Sequence, residues 1–168
     1  GSAIQGLQAN ETLVGIDFRP STGQLFGLGS FSRLYTIDTT NGQASPVSAT
    51  PYSPALNGSS FGMDFNPTVD RVRVVSDADQ NLRLNPTTGA LASADASVQY
   101  AVGDANFGTN PNVIDVGYTN SFPGSTSTTL FGLDSGTDSL VMHTVGPAFS
   151  QLVTIGSMGT DVTDVSGF

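Results

Sequence analysis

A chain of 168 residues with five arginines, no lysine and fourteen acidic residues carries a formal charge of −9 and has the length of one domain with its own core. Such a surface repels polyphosphate and anionic lipid alike, which excludes nucleic-acid binding driven by counterion release and electrostatic membrane docking. With no cysteine and a single histidine, His143, the chain can build neither disulfides, thiolate metal sites and cysteine nucleophiles nor a three-histidine metal centre.

In chain order, Gly1-Ser2 reads as a remnant of cloning, so an export signal is expected ahead of it. Residues 3–7 read as the outermost strand of a unit that is otherwise missing. A repeat then begins. Gly15-Ile16-Asp17-Phe18-Arg19-Pro20 returns as Gly62-Met63-Asp64-Phe65-Asn66-Pro67, a shift of 47 residues that also lays Leu25 on Val72, Leu28 on Val75, Ile37 on Leu84 and Gly42 on Gly89. The first unit, residues 12–58, is predicted to hold four short strands at 13–18, 24–29, 33–38 and 44–47. Pro20-Ser21-Thr22-Gly23 and Thr39-Thr40-Asn41-Gly42 supply the turns. Asn41-Gly42 predicts a tight hairpin, because both residues tolerate positive φ.

The second unit spans residues 59–105, with Pro86-Thr87-Thr88-Gly89 as the counterpart turn. Long loops are expected at 50–59 and 102–112, between units. The third unit, 112–158, is looser. Leu25-Phe26-Gly27-Leu28 recurs in it as Leu130-Phe131-Gly132-Leu133, while Val116-Gly117-Tyr118 stands where Ile16-Asp17-Phe18 stood. A further unit has just begun at residues 164–168. No stretch shows helical periodicity with caps, and no apolar run approaches the ~18 residues of a membrane span. The pattern predicts a single all-β repeat domain over residues 1–168, a β-propeller-like array of about three four-stranded blades, with a β-sandwich as the alternative. Three blades do not close a ring, so the chain is expected to be either a fragment of a longer propeller or one that completes itself by self-association through open strand edges.

Three sets of residues are candidates for chemistry. Arg71, Arg73 and Arg83 replace Gln24, Phe26 and Thr36 of the first unit, and could form an anion or carboxylate clamp. The plainer reading has them neutralise Asp64, Asp70 and Asp77. Asp77, Asp79 and Asn81 space oxygen ligands like the start of a calcium loop, but Leu82 and Thr88 then occupy the glycine and glutamate positions of an EF-hand. Looser calcium sites at 134–138 and 161–164 compete with the turn-forming role of Asp and Asn. His143 lies in a strand-like run opposite Ile37 and reads as a half-buried packing residue. Thirteen aspartates offer many carboxylate pairs, and their spacing singles out none. No catalytic residue is assigned.

Residues 13–25, Phe61 to Ser76, Gln80 to Pro86, Gly103-Asp104-Ala105-Asn106 with Asn110-Pro111-Asn112-Val113, and Tyr118-Thr119-Asn120 together resemble the bacterial family catalogued as domain of unknown function 4394. The resemblance covers nearly the whole chain. It implies exported proteins with propeller-like repeats, often with anchoring or sorting segments, and a family domain longer at both ends. It carries no activity.

Only 11% of residues are charged, and Gly, Ser, Thr and Asn fill the gaps, which points to an extracellular or cell-surface protein. The expected function is a non-catalytic interaction module with a protein or polysaccharide partner and no cofactor unless calcium. One alternative is a carbohydrate-binding module or Asp-dependent glycoside hydrolase. Another is a structural protein that assembles through unpaired terminal strands.

Overall fold

A computed structural model describes residues 3–144, 146 and 148–163. Thirteen strands form three separate sheets, one for each sequence repeat, and there is no helix among the described residues. The first sheet is an antiparallel meander of β1 (Leu13–Phe18), β2 (Leu25–Gly29), β3 (Arg33–Ile37) and β4 (Ala44–Pro46). The second repeats it with β5 (Phe61–Asn66), β6 (Arg71–Ser76), β7 (Asn81–Leu84) and β8 (Leu91–Ala94). β9 (Gln99–Tyr100) follows, and then the third meander: β10 (Val113–Tyr118), β11 (Leu130–Asp134), β12 (Ser139–His143) and β13 (Gln151–Ser157). The expected strands of the first unit differ from these by no more than one residue at any end.

The first strands of the three meanders lie side by side: β5 is flanked by β1 on one side and by β10 on the other. No comparable contact joins β1 to β10 among the described residues, so the array is open. Side chains alternate along each first strand, giving each sheet a forward face toward the next sheet and a rear face toward the preceding one. Gly15 and Asp17 point forward, and Ile16 and Phe18 point to the rear.

The forward pair makes the joint. Gly15 lies against Met63, where a methyl group would sit 2.9 Å from the Met63 Cβ. Asp17 Oδ2 accepts the backbone N–H of Phe65 at 2.9 Å. The second sheet repeats both contacts on the third. Gly62 lies against the backbone of Asp115 and Val116, and Asp64 Oδ2 accepts the N–H of Tyr118 at 2.5 Å. Arg19 and Asp70 form an ion pair between the turns of the first two sheets, through Arg19 Nε at 2.8 Å and through Nη2.

Apolar side chains fill the spaces between sheets. Phe26, Leu28 and Leu34 meet Phe65, Val72, Val74, Leu82 and Leu84 in one cluster, with the Phe26 and Phe65 rings edge-to-face at 5.2 Å. Val75, Val113, Val116, Tyr118, Leu130 and Val141 form the second, joined by Val98 and Tyr100 from the connection.

Three details depart from expectation. Residues 3–7 do not belong to another unit: Gln5 forms a parallel bridge with Gln43, and Ala44 N donates to Gln5 O at 2.7 Å, so this segment lies on the outer edge of the first sheet. β9 falls in the second repeat by sequence, yet it pairs in parallel with β13 of the third sheet. In both cases the open row of N–H and C=O groups on an outermost strand takes up the nearest extended segment. The Asn41-Gly42 turn is longer than a two-residue hairpin. Only Gly42 has positive φ (79°), and its N–H donates to Asp38 O at 2.8 Å, because the Asp38 carboxylate accepts from Thr40 N (2.8 Å) and organises the preceding residues. The strand expected at 164–168 lies outside the described residues.

Burial, and then the neighbouring Asp17 carboxyl, push the Asp64 carboxyl well above the ordinary carboxylate range. The folded state therefore holds this proton more tightly than the unfolded chain does. Its contribution is complete below about pH 4 and is lost as pH rises through the raised value. Asp64→Asn keeps an oxygen for the Tyr118 N–H without titrating. The variant is expected to gain on the parent as pH rises from about 5 to 8, by ~1–2 kcal/mol, read as a widening difference in melting temperature of several degrees. A difference that stays constant with pH would contradict this. Gly62→Ala would place a methyl group 2.5 Å from the Val116 nitrogen, whereas in Gly15→Ala the nearest contact is with a side chain. Urea unfolding should show Gly62→Ala as the costlier of the two, at about 3 kcal/mol or more.

Candidate functional site

The polar groups that the second repeat substitutes into the common frame meet between the second and third sheets. Arg73 on β6 and Arg83 on β7 are direct partners in register. By the 47-residue shift, Arg73 takes the place of Phe26, Asn81 of Leu34, Arg83 of Thr36 and Asp95 of Ser48. An apolar slot between the first and second sheets thus becomes a charged one between the second and third.

Arg73 is 2% exposed. Its Nη1 donates to Asn81 Oδ1 (2.5 Å), Asp95 Oδ2 (2.8 Å) and the carbonyl of Ala148 (3.3 Å), and its Nε donates to the Tyr118 hydroxyl (3.2 Å). The Phe149 ring lies 5.2 Å from the guanidinium carbon. Arg83 grips the same carboxylate in bidentate fashion, Nε to Oδ2 at 2.7 Å and Nη2 to Oδ1 at 2.8 Å, and Ser93 Oγ adds a third bond at 2.7 Å. Burial raises the Asp95 carboxyl, but the hydrogen bonds from Arg83, Ser93 and Arg73 outweigh it and hold the group below its ordinary value.

Two cations and one anion leave a local excess of positive charge in an otherwise acidic protein. The Arg83 side chain, 39% exposed, reaches an open cleft of about 450 Å³. Phe149 lines it too, and Thr68 with residues 126–128 add hydroxyl groups to the lining.

Of the three arginines singled out by sequence, Arg73 and Arg83 come together and Arg71 does not. Arg71 Nη1 donates to the carbonyl of Asp70 (2.9 Å) at its own turn. The partner of Arg73 and Arg83 is Asp95, not Asp64, Asp70 or Asp77. Asp64 holds the Tyr118 N–H, Asp70 pairs with Arg19, and Asp77 accepts from Ser59 N (2.9 Å) and Ser59 Oγ (2.5 Å). The substitution argument that exposed the arginines would have found Asp95 too, since it replaces a serine in the same register.

The candidate calcium ligands diverge. Asp77 turns to Ser59, Asp79 (φ 61°) lies by Asn110, and Asn81 is buried against Arg73 and the carbonyl of Ala96. Asp134 is held by the Tyr100 hydroxyl (2.5 Å) and Gly136 N (2.8 Å), and Asp138 by Val162 N (2.9 Å). Among the described residues no three acidic or histidine side chains converge as a metal site would require. Asp164 lies outside them.

His143 is 1% exposed, deeper than the half-buried position expected, with Nδ1 2.8 Å from the Phe149 carbonyl oxygen. Burial pushes its imidazole down to about 4, with the nearby Arg73 charge a lesser influence in the same direction. It packs behind the segment that carries Phe149.

Over residues 1–168, the whole chain, the sequence matches the family model described as domain of unknown function (DUF4394). No protein of curated function matches it.

Asp95 and Arg83 should differ sharply when truncated. Asp95→Ala leaves the buried Arg73 charge uncompensated and is expected to cost ~3–5 kcal/mol. Arg83→Ala removes a part-exposed side chain and should cost under about 1 kcal/mol. Urea unfolding midpoints of the two variants check the ordering; equal costs would mean that Asp95 does not hold Arg73.

Proposed function

The chain belongs to the domain of unknown function 4394 family, and we propose that it is a non-catalytic interaction module of an exported protein, holding a carboxylate-bearing or hydroxyl-rich partner in the cleft between its second and third sheets. The observation that carries this reading is Arg83. It is locked by Asp95 on one side and open to the cleft on the other, in a register position where the first repeat has only Thr36. A guanidinium whose orientation is already fixed has little rotamer freedom left to lose on binding. Phe149 offers an apolar ring face, and the hydroxyls of residues 126–128 offer donors and acceptors, the combination used to hold sugars and acidic groups.

Support for a binding rather than a hydrolytic role comes from the carboxyl groups. Glycoside hydrolysis uses two, about 5–10 Å apart across the scissile bond. Asp95 reaches the cleft only through the two arginines that line it, and is already bonded to both. Asp17 and Asp64 form a carboxyl pair, but both accept backbone N–H groups of the next sheet. Low charge content supports the exported setting.

NMR titration with an oligogalacturonate, with a neutral oligoglucan in parallel, tests the proposal. Shifts are expected at Arg83, residues 126–128 and Phe149 with the acidic sugar, and Arg83→Ala should weaken binding at least tenfold, the measure of one charge-assisted contact of about 1.4 kcal/mol. Absence of cleft shifts with either sugar at millimolar concentration would count against this reading.

A further inference from the structure

The joint between sheets has a giving half and a receiving half, and both are defined by residues described above. The giving half is Gly-x-Asp on the forward face: Gly15 with Asp17, and Gly62 with Asp64. The receiving half is the rear face of the next first strand. There the glycine meets the Met63 side chain at one joint and the backbone of Asp115 and Val116 at the other, and an aromatic residue offers its N–H to the aspartate. Phe65 and Tyr118 are received in this way and are 0% and 7% exposed.

Phe18 is the third member of that series and is 55% exposed, with Ile16 beside it at 59%. Its N–H donates to its own neighbour, Asp17 Oδ1, at 2.6 Å. Around it the outer part of the rear face is already filled: Leu7 and Leu13 pack on Tyr35, Ile37 and Ala44, and Glu11 holds that cover in place by accepting from the Tyr35 hydroxyl (2.5 Å) and Phe31 N (3.0 Å). The connection containing Val98 and Tyr100 fills the corresponding place between the second and third sheets. The first sheet thus carries a receiving half, complete with its outer packing, whose inner part is bare.

The third sheet cannot serve as the giver from a second copy of the chain. In register, Asp115 stands opposite Leu133 where Gly15 stands opposite Leu28, and Gly117 stands opposite Phe131 where Asp17 stands opposite Phe26. The two residues have changed places, so the forward face of the third sheet has a side chain where none fits and no carboxylate where one is needed. Back-to-back pairing of two first sheets would also bring two receiving halves together, with no carboxyl group from the facing sheet for either Phe18 N–H. The net charge of −9 on each copy opposes it further.

The geometry points to a single occupant: a further four-stranded sheet of this repeat, with Gly-x-Asp-aromatic on its first strand. Its glycine passes over Ile16 and its aspartate accepts the Phe18 N–H. This interface continues the two already present, with the same residue types at the same positions.

The test is a chain in which residues 13–59 occur twice in tandem, which keeps the native 47-residue spacing and places a Gly-x-Asp strand ahead of the inner Phe18. Amide hydrogen exchange is the readout. The inner Phe18 amide is expected to exchange at least tenfold more slowly than in the parent chain, approaching Phe65 and Tyr118. Asp17→Ala in the first copy alone should abolish that protection while leaving Tyr118 unchanged. An inner Phe18 amide that exchanges as fast as in the parent overturns the proposal. So does loss of protection at Phe65 and Tyr118, because a sheet docked in the native way leaves both other joints intact. A parent chain that dimerises in light scattering, with Phe18 already protected, would show that a second copy is the occupant and overturn it equally.

Discussion

The structure depends on one exchange between neighbouring first strands: a carboxyl oxygen on one accepts a backbone N–H from the other, beside a glycine that lets the two strands approach. Neighbouring first strands belong to different sheets, so no ladder of hydrogen bonds joins them. An N–H turned toward the seam would be buried without a partner, at a cost of about 1–3 kcal/mol. Asp17 and Asp64 remove that cost at Phe65 and Tyr118. They also fix the register of sheet against sheet, because a one-residue slip would put Gly62 or Asp64 on the opposite face. The apolar clusters supply most of the favourable free energy. The two aspartates decide which of many apolar packings is adopted.

On this common frame the two joints have diverged. Between the first and second sheets the slot beside the joint is dry and aromatic, with Phe26 on Phe65. Between the second and third it holds Arg73, Asn81 and Asp95, with Tyr118 and Phe149 across from them. A buried ion pair of this kind adds little net stability compared with an apolar filling. Its retention at one joint and absence from the other fits a role in recognition, and the partly exposed Arg83 is the element through which the buried network meets solvent.

Much of this was legible in the sequence because a repeat aligned to itself shows what is constant and what is replaced. The 47-residue shift placed the first-strand glycines, aspartates and aromatics correctly and brought out the arginines. Their purpose was not legible. A Gly-x-Asp-aromatic strand reads as an ordinary edge strand until the next sheet is set against it, and the N–H that Asp17 satisfies lies 48 residues along the chain. Asn81 illustrates the same limit. Its spacing from Asp77 and Asp79 suggested a shared loop, but the alternation of β7 turns it inward to Arg73 while the two aspartates stay at the turn. β9 was missed as an element of the third sheet because two residues carry no periodicity, and its partner strand lies about fifty residues downstream.

The parallel pairing of Gln5 with Gln43, and of β9 with β13, also bears on how the chain assembles. In each case the closing segment precedes the sheet whose outer edge it covers. A chain emerging from its N-terminus therefore presents the closing piece first and the strand it covers last, and an outer strand does not wait exposed once formed. The timing replaces what lysines do on other edges, since a covered strand offers no template for a neighbouring chain. The consequence is slow closure. Pairing β9 with β13 requires a loop of about fifty residues to fold first, so completion of the third sheet should be the late step of folding, and the step most exposed to misassembly.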